Sequence, residues 1–365
     1  MESGWIALIV LVGSCVLSWL WSLLTAPRFN VRGKHVLFTG TENPLGLAIA
    51  KKYVKKGANV SLIGPTMEIL KAAQSELQKV AGEDASVFVF ECELVDSKQV
   101  EQAVQEANTF HGRATDHIVY AASRRIKPGY FWEQDVALMK EAMDVNYLGA
   151  VVLIKAALPA MIEAKNRGRI VFVSSVDSLE FPVGCGACSG SKSAIRGLAD
   201  SLRNELLLYN ISVAVFYPGT SSYNLLDTSK SFKSPATSNE AGEERYGIVN
   251  DPINWYLYCR LLCSANEGSI TTGYSTFTDQ SPAATKSFDK KAKVLFNGLW
   301  FGQYSITTTW NGFLLRMLSN GVAPRNNTFL EWISLFFVGG YHFLRQKVKE
   351  TSLKAPTRAG TAAHV

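Results

Sequence analysis

A chain of 365 residues with 37 Lys and Arg against 31 Asp and Glu carries a formal charge of +6. That length supports one large core plus appendages, and a hydrophobic share of 47% belongs to a globular chain rather than a disordered one. The basic excess is spread out, with no basic run interleaved with aromatics, so no nucleic-acid partner is expected.

Residues 5–24, WIALIVLVGSCVLSWLWSLL, are apolar apart from small hydroxyl side chains. At the helical rise such a stretch spans the ~30 Å hydrocarbon layer. The residues before it hold Glu2 and no positive charge, which disfavours a cleaved signal peptide and points to a retained anchor over 1–27. Arg28, Arg32 and Lys34 follow directly, and the positive-inside rule puts them and the next domain in the cytosol.

From 33 to 278 short apolar runs alternate with amphipathic stretches. His35–Thr39, Asn59–Ile63, Val87–Glu91, His117–Tyr120, Arg169–Ser174 and Ser212–Tyr217 read as buried strands separated by helical patterns. This alternation predicts an α/β fold, a Rossmann-like doubly wound parallel sheet with helices on both faces. Residues 221–247 are polar and read as a long substrate-lid loop. The region 290–349 is apolar and expected to be membrane-associated. Val294–Leu318 is broken by Asn and Gly, and Phe329–Leu344 carries Glu331 and His342, so neither is a clean span. A re-entrant pair, an interfacial helix and a substrate-entry lid stay open. A disordered tail is expected over 350–365.

Six scattered cysteines, five of them in the domain expected in the cytosol, do not make a disulfide framework. Cys185 and Cys188 form a C-x-x-C, but no second C-x-x-C and no H-x3-H accompanies it, so no metal site is expected.

The chemistry gathers at residues 168–198. Reducing a ketone with a nicotinamide needs a hydride from the cofactor and a proton from the protein. A serine at a strand end can bond the carbonyl oxygen. A lysine four residues beyond a tyrosine shares its helix face and lowers its pKa. Here Ser175 follows a predicted strand, and Lys192 lies on a predicted helix over 186–208 with Ala194, Ile195, Leu198, Leu202 and Leu206 on one stripe. The site thus falls beyond strand C-termini, where open α/β sheets bind ligands. The residue four before the lysine is Cys188.

The stretches DVNYLGAVVLIKAALPAMIEAKNRGRIVFVSS, SGSKSAIRGLADSLRNEL and YPGT resemble the short-chain dehydrogenase/reductase family, specifically its membrane-anchored 3-ketodihydrosphingosine reductases. The resemblance implies catalytic roles for Asn146, which would hold a water for proton relay, for Ser175 as carbonyl-orienting group, and for Lys192, which would grip the nicotinamide ribose. It places Cys188 where the family has its tyrosine. It implies an NADPH site at Thr39, Gly40, Gly46, Glu93, Tyr120, Lys192, Pro218 and Gly219. The middle glycine of the family's first loop is Pro44, with Glu42 beside it, and Pro65 stands where many relatives carry an arginine for the 2′-phosphate.

A thiol is shorter than a phenol by a whole ring. A bridging water polarised by Lys192, or a hydroxyl from Tyr120, Tyr217 or Tyr223, could supply the proton instead. Two functions follow from the resemblance. One is an NADPH-dependent reductase of a long-chain keto-lipid in sphingolipid biosynthesis, on the endoplasmic reticulum membrane and facing the cytosol. The other is a catalytically degenerate relative, a pseudoenzyme acting as a membrane-bound scaffold or regulator of lipid enzymes. A homo-oligomer and a lipid-enzyme partner both stay open.

Overall fold

Besides Gly13 and Leu17, the computed structural model describes residues 29–82, 85–124, 126, 131–181, 185–219 and 282–319. Seven strands form one sheet in the order β3-β2-β1-β4-β5-β6-β7. They are β1 His35–Thr39, β2 Asn59–Gly64, β3 Val87–Glu91, β4 His117–Tyr120, β5 Gly168–Val173, β6 Ile211–Tyr217 and β7 Ser305–Thr307. Every neighbouring pair is parallel. The inner strands read as unbroken apolar runs because helices cover both faces.

On one face lie α1 Pro44–Lys55, α2 Met67–Gln78 and α8 Pro282–Trp300. Their Ile49, Val54, Leu77, Leu295 and Leu299 close a core over Val36, Phe38 and Phe216. On the other face lie α3 Ser97–Phe110, α5 Gly149–Glu163 and α7 Gly186–Glu205. Val104, Leu153, Ala157, Ile195 and Ala199 pack there against Leu37, Ile118 and Phe172. Three further α-helices are described, α4 Val136–Met143, the short α6 Asp177–Glu180 and α9 Trp310–Ser319, with 3-10 turns at Phe131–Glu133 and Leu206–Tyr209 and a π turn at Asp144–Leu148 joining α4 to α5. The strand order reverses between β1 and β4, which opens the crevice where such sheets hold ligands.

Three predicted strands match in both bounds, and the others shift by one residue. The predicted helix over 186–208 ends at Glu205 and tightens into a 3-10 turn at Leu206–Tyr209. The larger difference is at the C-terminal side. Residues 282–319, the greater part of them set apart from the sheet domain in the sequence reading, belong to the same compact unit as the sheet. Strand β7 pairs with the edge of β6, and α8 covers α1 with Ala292, Leu295, Phe296 and Leu299. Gly298 makes the packing possible, because a Cβ there would sit 2.6 Å from Ile306 Cγ1. A boundary at 278 therefore falls short. A three-residue strand between Tyr304 and Thr308 carries too little periodicity to be seen in the sequence.

The expected anchor over 1–27, the expected lid over 221–247, the stretch 320–349 and the expected tail over 350–365 lie outside the described residues, save Gly13 and Leu17. Among the described residues, one helical stretch, Val136–Glu163, is long and apolar enough to cross a membrane by length and composition. Its Leu153, Ile154, Ala157 and Met161 pack in the core of the sheet.

Candidate functional site

Ser175 sits two residues past β5. Its hydroxyl donates to Asp177 Oδ2 at 2.9 Å and accepts from the Asp177 N–H at 3.2 Å, so the first turn of α6 fixes its rotamer. Lys192 reaches the same strand end from α7. It is buried, and its ammonium donates to Val173 O at 3.4 Å while Ser174 Oγ donates to its carbonyl at 3.4 Å. Both ends of the lysine are thereby tied to the two residues that precede Ser175.

Asn146 lies in the π turn, 1% exposed. Such turns re-aim side chains and recur at functional sites. Its Nδ2 donates to Ser191 Oγ at 2.9 Å and to Arg124 O at 3.3 Å, and its Oδ1 accepts from Arg124 N–H at 2.7 Å. Ser191 in turn donates to Cys188 O at 3.1 Å. Asn146, Cys188, Lys192 and Ser175 thus occupy one locale, where the first half of α7 crosses the π turn and the end of β5. Ser191 was not singled out by sequence reasoning, although its place beside Lys192 was the available signal.

Cys188 is half-buried and free, with Sγ 4.0 Å from Ile126 O, among Ala142, Ala187 and Met139. Cys185 is buried and also free, its thiol pushed up to about 12 by burial, with Asp177 and Cys188 adding to the shift.

Two of the three tyrosines proposed as replacement donors, Tyr120 and Tyr217, are turned elsewhere. The Tyr120 hydroxyl donates to Val145 O at 2.5 Å, and the ring is sealed in the core beneath α5. Tyr217 is 1% exposed in the same core. Burial raises both phenols above their usual range. Tyr223 lies outside the described residues. Tyr120 was expected beside the cofactor; instead it buttresses the π turn that carries Asn146. The reason is alternation along β4, which sends its side chain to the α5 face.

The glycine turn after β1 keeps its shape. Gly40 has φ +87°, and a Cβ there would meet Ala121 C at 2.2 Å; one on Gly46 would meet Gly40 O at 2.0 Å. Thr39, fully buried, accepts from Ala122 N–H at 3.4 Å and ties the turn to β4. The helix that follows is closed differently. Pro44 at its start has no N–H, and Asn43 Oδ1 accepts from Leu45 N–H at 2.8 Å and Gly46 N–H at 3.3 Å. Glu42 is half-buried beside this turn, and desolvation raises its carboxyl pKa.

Further round the crevice, Glu93 is exposed past β3 and its N–H donates to Gln99 Oε1. Pro218 O accepts from Val176 N–H, and Gly219 donates to Thr308 Oγ1 at 2.7 Å while accepting from Lys291 Nζ at 2.8 Å. Pro65, exposed at the end of β2, pairs in position with neither Lys nor Arg; residues 64–68 are Gly, Pro, Thr, Met and Glu.

A dinucleotide fits the turn, because Gly40, Gly46 and Ala121 preserve the close backbone approach that it needs. One adjustment is required: Asn43 must release the two N–H groups before a phosphate can take them.

The fold and this locale define a class. The family model for short chain dehydrogenases matches residues 34–233, and the chain belongs to that family. It is 27% identical over 314 residues to a 3-ketodihydrosphingosine reductase of Cryptococcus neoformans, covering 86% of this chain and 82% of that one. It is 36% identical over 213 residues to a 3-dehydrosphinganine reductase of Danio rerio, covering 57% of this chain and 63% of that one. A Schizosaccharomyces pombe fusion protein that includes a 3-ketodihydrosphingosine reductase is 36% identical over 195 residues, 53% of this chain and 38% of the fusion. An NAD+-bound xylitol dehydrogenase shares the fold, with TM-score 0.50 at 24% identity over 52% of this chain and 72% of that one.

Proposed function

We propose that the chain is a membrane-tethered reductase of sphingolipid biosynthesis. Its substrate is a long-chain 3-keto sphingoid base and its product the corresponding dihydrosphingosine. In this reading residues 1–27 anchor it in the endoplasmic reticulum membrane, and the sheet domain faces the cytosol. The names of the similar reductases support the substrate class. The carrying observation is the lysine: Lys192 is buried, with its ammonium on Val173 O at the strand end that presents Ser175, and Asn146 is bonded to the residue beside it.

NADPH, when bound, supplies the hydride. The chain's own residues do the rest. Gly40 and Gly46 admit the dinucleotide to the β1/β4 crevice, and Lys192 holds its ribose. Ser175 donates to the ketone oxygen once Asp177 gives up the bond. Cys188 stands one turn before Lys192 and is too short to reach the ketone directly, so a water held between them and polarised by Lys192 gives its proton to the ketone oxygen and is reprotonated from bulk solvent. The full chain in lipid nanodiscs, given 3-ketodihydrosphingosine and NADPH, should form dihydrosphingosine detectable by mass spectrometry. Absence of both product and nucleotide binding at millimolar cofactor would end this reading.

A second reading is a catalytically silent relative that scaffolds or regulates lipid enzymes at the membrane. The Asn43 cap on the phosphate-facing N–H groups and the inward turn of Tyr120 and Tyr217 favour it. Nucleotide binding without turnover, with turnover restored by Cys188→Tyr, supports a damaged reductase. No binding by either form supports the silent relative.

A further inference from the structure

At the end of the sheet opposite Ser175, the last turn of α1 and the outer half of α8 enclose a groove of about 490 Å³. Lys52, Lys55, Lys56 and Lys293 line it together with Phe296 and Trp300, and no acidic side chain does. Among the described residues none of these four lysines forms an ion pair, whereas Lys51 on the same helix pairs with Glu76 at 2.9 Å. Lys52 and Lys55 also complement the C-terminal end of the α1 dipole. That does not account for Lys293, which projects from the middle of α8 into the same space. Trp300 is 41% exposed at the rim, and the Lys56 ammonium lies 5.9 Å over the Phe296 ring.

The place where the chain enters the domain bears on what fills this groove. Phe29 forms part of the groove wall. It stacks on His117 at 5.6 Å, meets Tyr53 and Phe296 edge-on, and lies under the Arg169 guanidinium at 4.8 Å. The apolar stretch 5–24 ends five residues earlier. Five residues reach at most ~18 Å. A bilayer that takes up that stretch therefore lies within reach of the groove. Lysine clusters next to a membrane segment attract anionic headgroups, and Trp favours the interface. Lysine stems can lie along the aromatic wall while their ammonium groups face the headgroups.

We propose that this groove seats the anionic headgroup of a phospholipid in the bilayer from which the chain emerges. The four lysines pair with its phosphate and carboxylate, and Trp300 lies at the interfacial level. The end of the sheet where β4 and β5 begin then faces the membrane, and the end carrying Ser175 faces away. The assignment rests on the membrane anchor proposed above and stands independently of whether the chain reduces a ketone.

Amine footprinting of the full chain, reconstituted in vesicles of phosphatidylcholine with or without phosphatidylserine, tests it. Lys52, Lys55, Lys56 and Lys293 should acetylate at least about threefold more slowly in the phosphatidylserine vesicles, with the exposed Lys98 and Lys155 unchanged. Equal rates in the two vesicle types would overturn the proposal. Equal protection in phosphatidylcholine vesicles on adding inorganic phosphate would overturn it in favour of a free anion. In K52E/K55E/K56E with its thermal midpoint retained, protection of Lys293 should vanish; persistence would also overturn it. If that variant does not fold, K293E read at Lys56 makes the same test.

Discussion

Asn43 Oδ1 lies 2.8 Å from the N–H of Leu45, at the helix start that faces the β1/β4 crevice. A helix start of this kind ordinarily offers its N–H groups to an anion. Here the chain's own carboxamide has taken them, and Pro44 has removed another. The cap stabilises the helix and competes with a phosphate for the same donors.

Asn43→Ala should therefore separate stability from binding. Loss of the cap should cost about 1 kcal/mol of stability. Freeing the two N–H groups should tighten nucleotide binding about tenfold, the scale of one charge-assisted hydrogen bond. Paired denaturant melts and cofactor titrations would check both. Unchanged or weaker binding would show that the crevice does not take a phosphate at this point.

Cys188→Tyr should raise ketone reduction by about 100- to 10,000-fold, the range that a positioned general acid supplies. The substituted ring would occupy the half-buried place one turn before Lys192. Steady-state rates with 3-ketodihydrosphingosine at saturating NADPH would measure it. No gain, in a variant that binds nucleotide and folds normally, would remove position 188 from the chemistry.

Discrimination between NADPH and NADH should be weak. No Lys or Arg occurs in residues 64–68 after β2, and Glu91 is exposed on the neighbouring strand end opposite Gly64. A 2′-phosphate placed there would meet no cation and one carboxylate. The two dissociation constants should lie within about tenfold of each other, a difference of ~1.4 kcal/mol. A strong NADPH preference would require a cation from outside residues 64–68.

The π turn should prove coupled to β4. A Cβ on Gly149 would sit 2.5 Å from Tyr120 Oη, so Gly149→Ala should destabilise the fold by roughly 1–3 kcal/mol. Tyr120→Phe removes that oxygen and its bond to Val145 O, at about 1 kcal/mol. The double variant should then be less destabilised than the sum of the two, as seen in urea melts. Strict additivity would place the strain elsewhere.

Acid should weaken the fold from the other end of the sheet. His35 and His117 are buried with pKa values lowered to about 3, chiefly by desolvation, and His111 is lowered to about 4 for the same reason. His35 and His111 share Ser61 Oγ at 2.9 and 3.0 Å. In the unfolded chain these rings take up protons below pH ~6.5; in the folded chain they stay neutral. The unfolded state then binds more protons, and stability falls as pH drops from ~6.5 towards 3–4. Each fully buried ring contributes up to about 1.4 kcal/mol per pH unit, and the partly exposed His111 contributes less. Thermal midpoints across this range would check it, with His111→Gln expected to flatten the slope.

The sequence by itself determined the sheet. Val36, Phe38, Ile118, Val119, Ile170 and Phe172 stand in unbroken apolar runs because both faces are covered, and a run of that kind is legible without coordinates. It also determined the register of Ser175, Cys188 and Lys192, since one lies past a strand and the others share a helix face. Tertiary structure alone decided which way the polar side chains of the crevice turn. Tyr120 reads as a crevice residue until pairing with β1 and β5 fixes its face, and its hydroxyl then finds Val145 O. The carboxamides of Asn43 and Asn146 are spent on partners set by turns and by a helix distant in the chain, Ser191 lying 45 residues from Asn146. Strand β7 was hidden for the same reason: three residues become a strand only when the open edge of β6 is there to pair with them. Apolar periodicity is a local property and survives in one dimension. The destination of a hydrogen bond depends on a neighbour that only folding supplies.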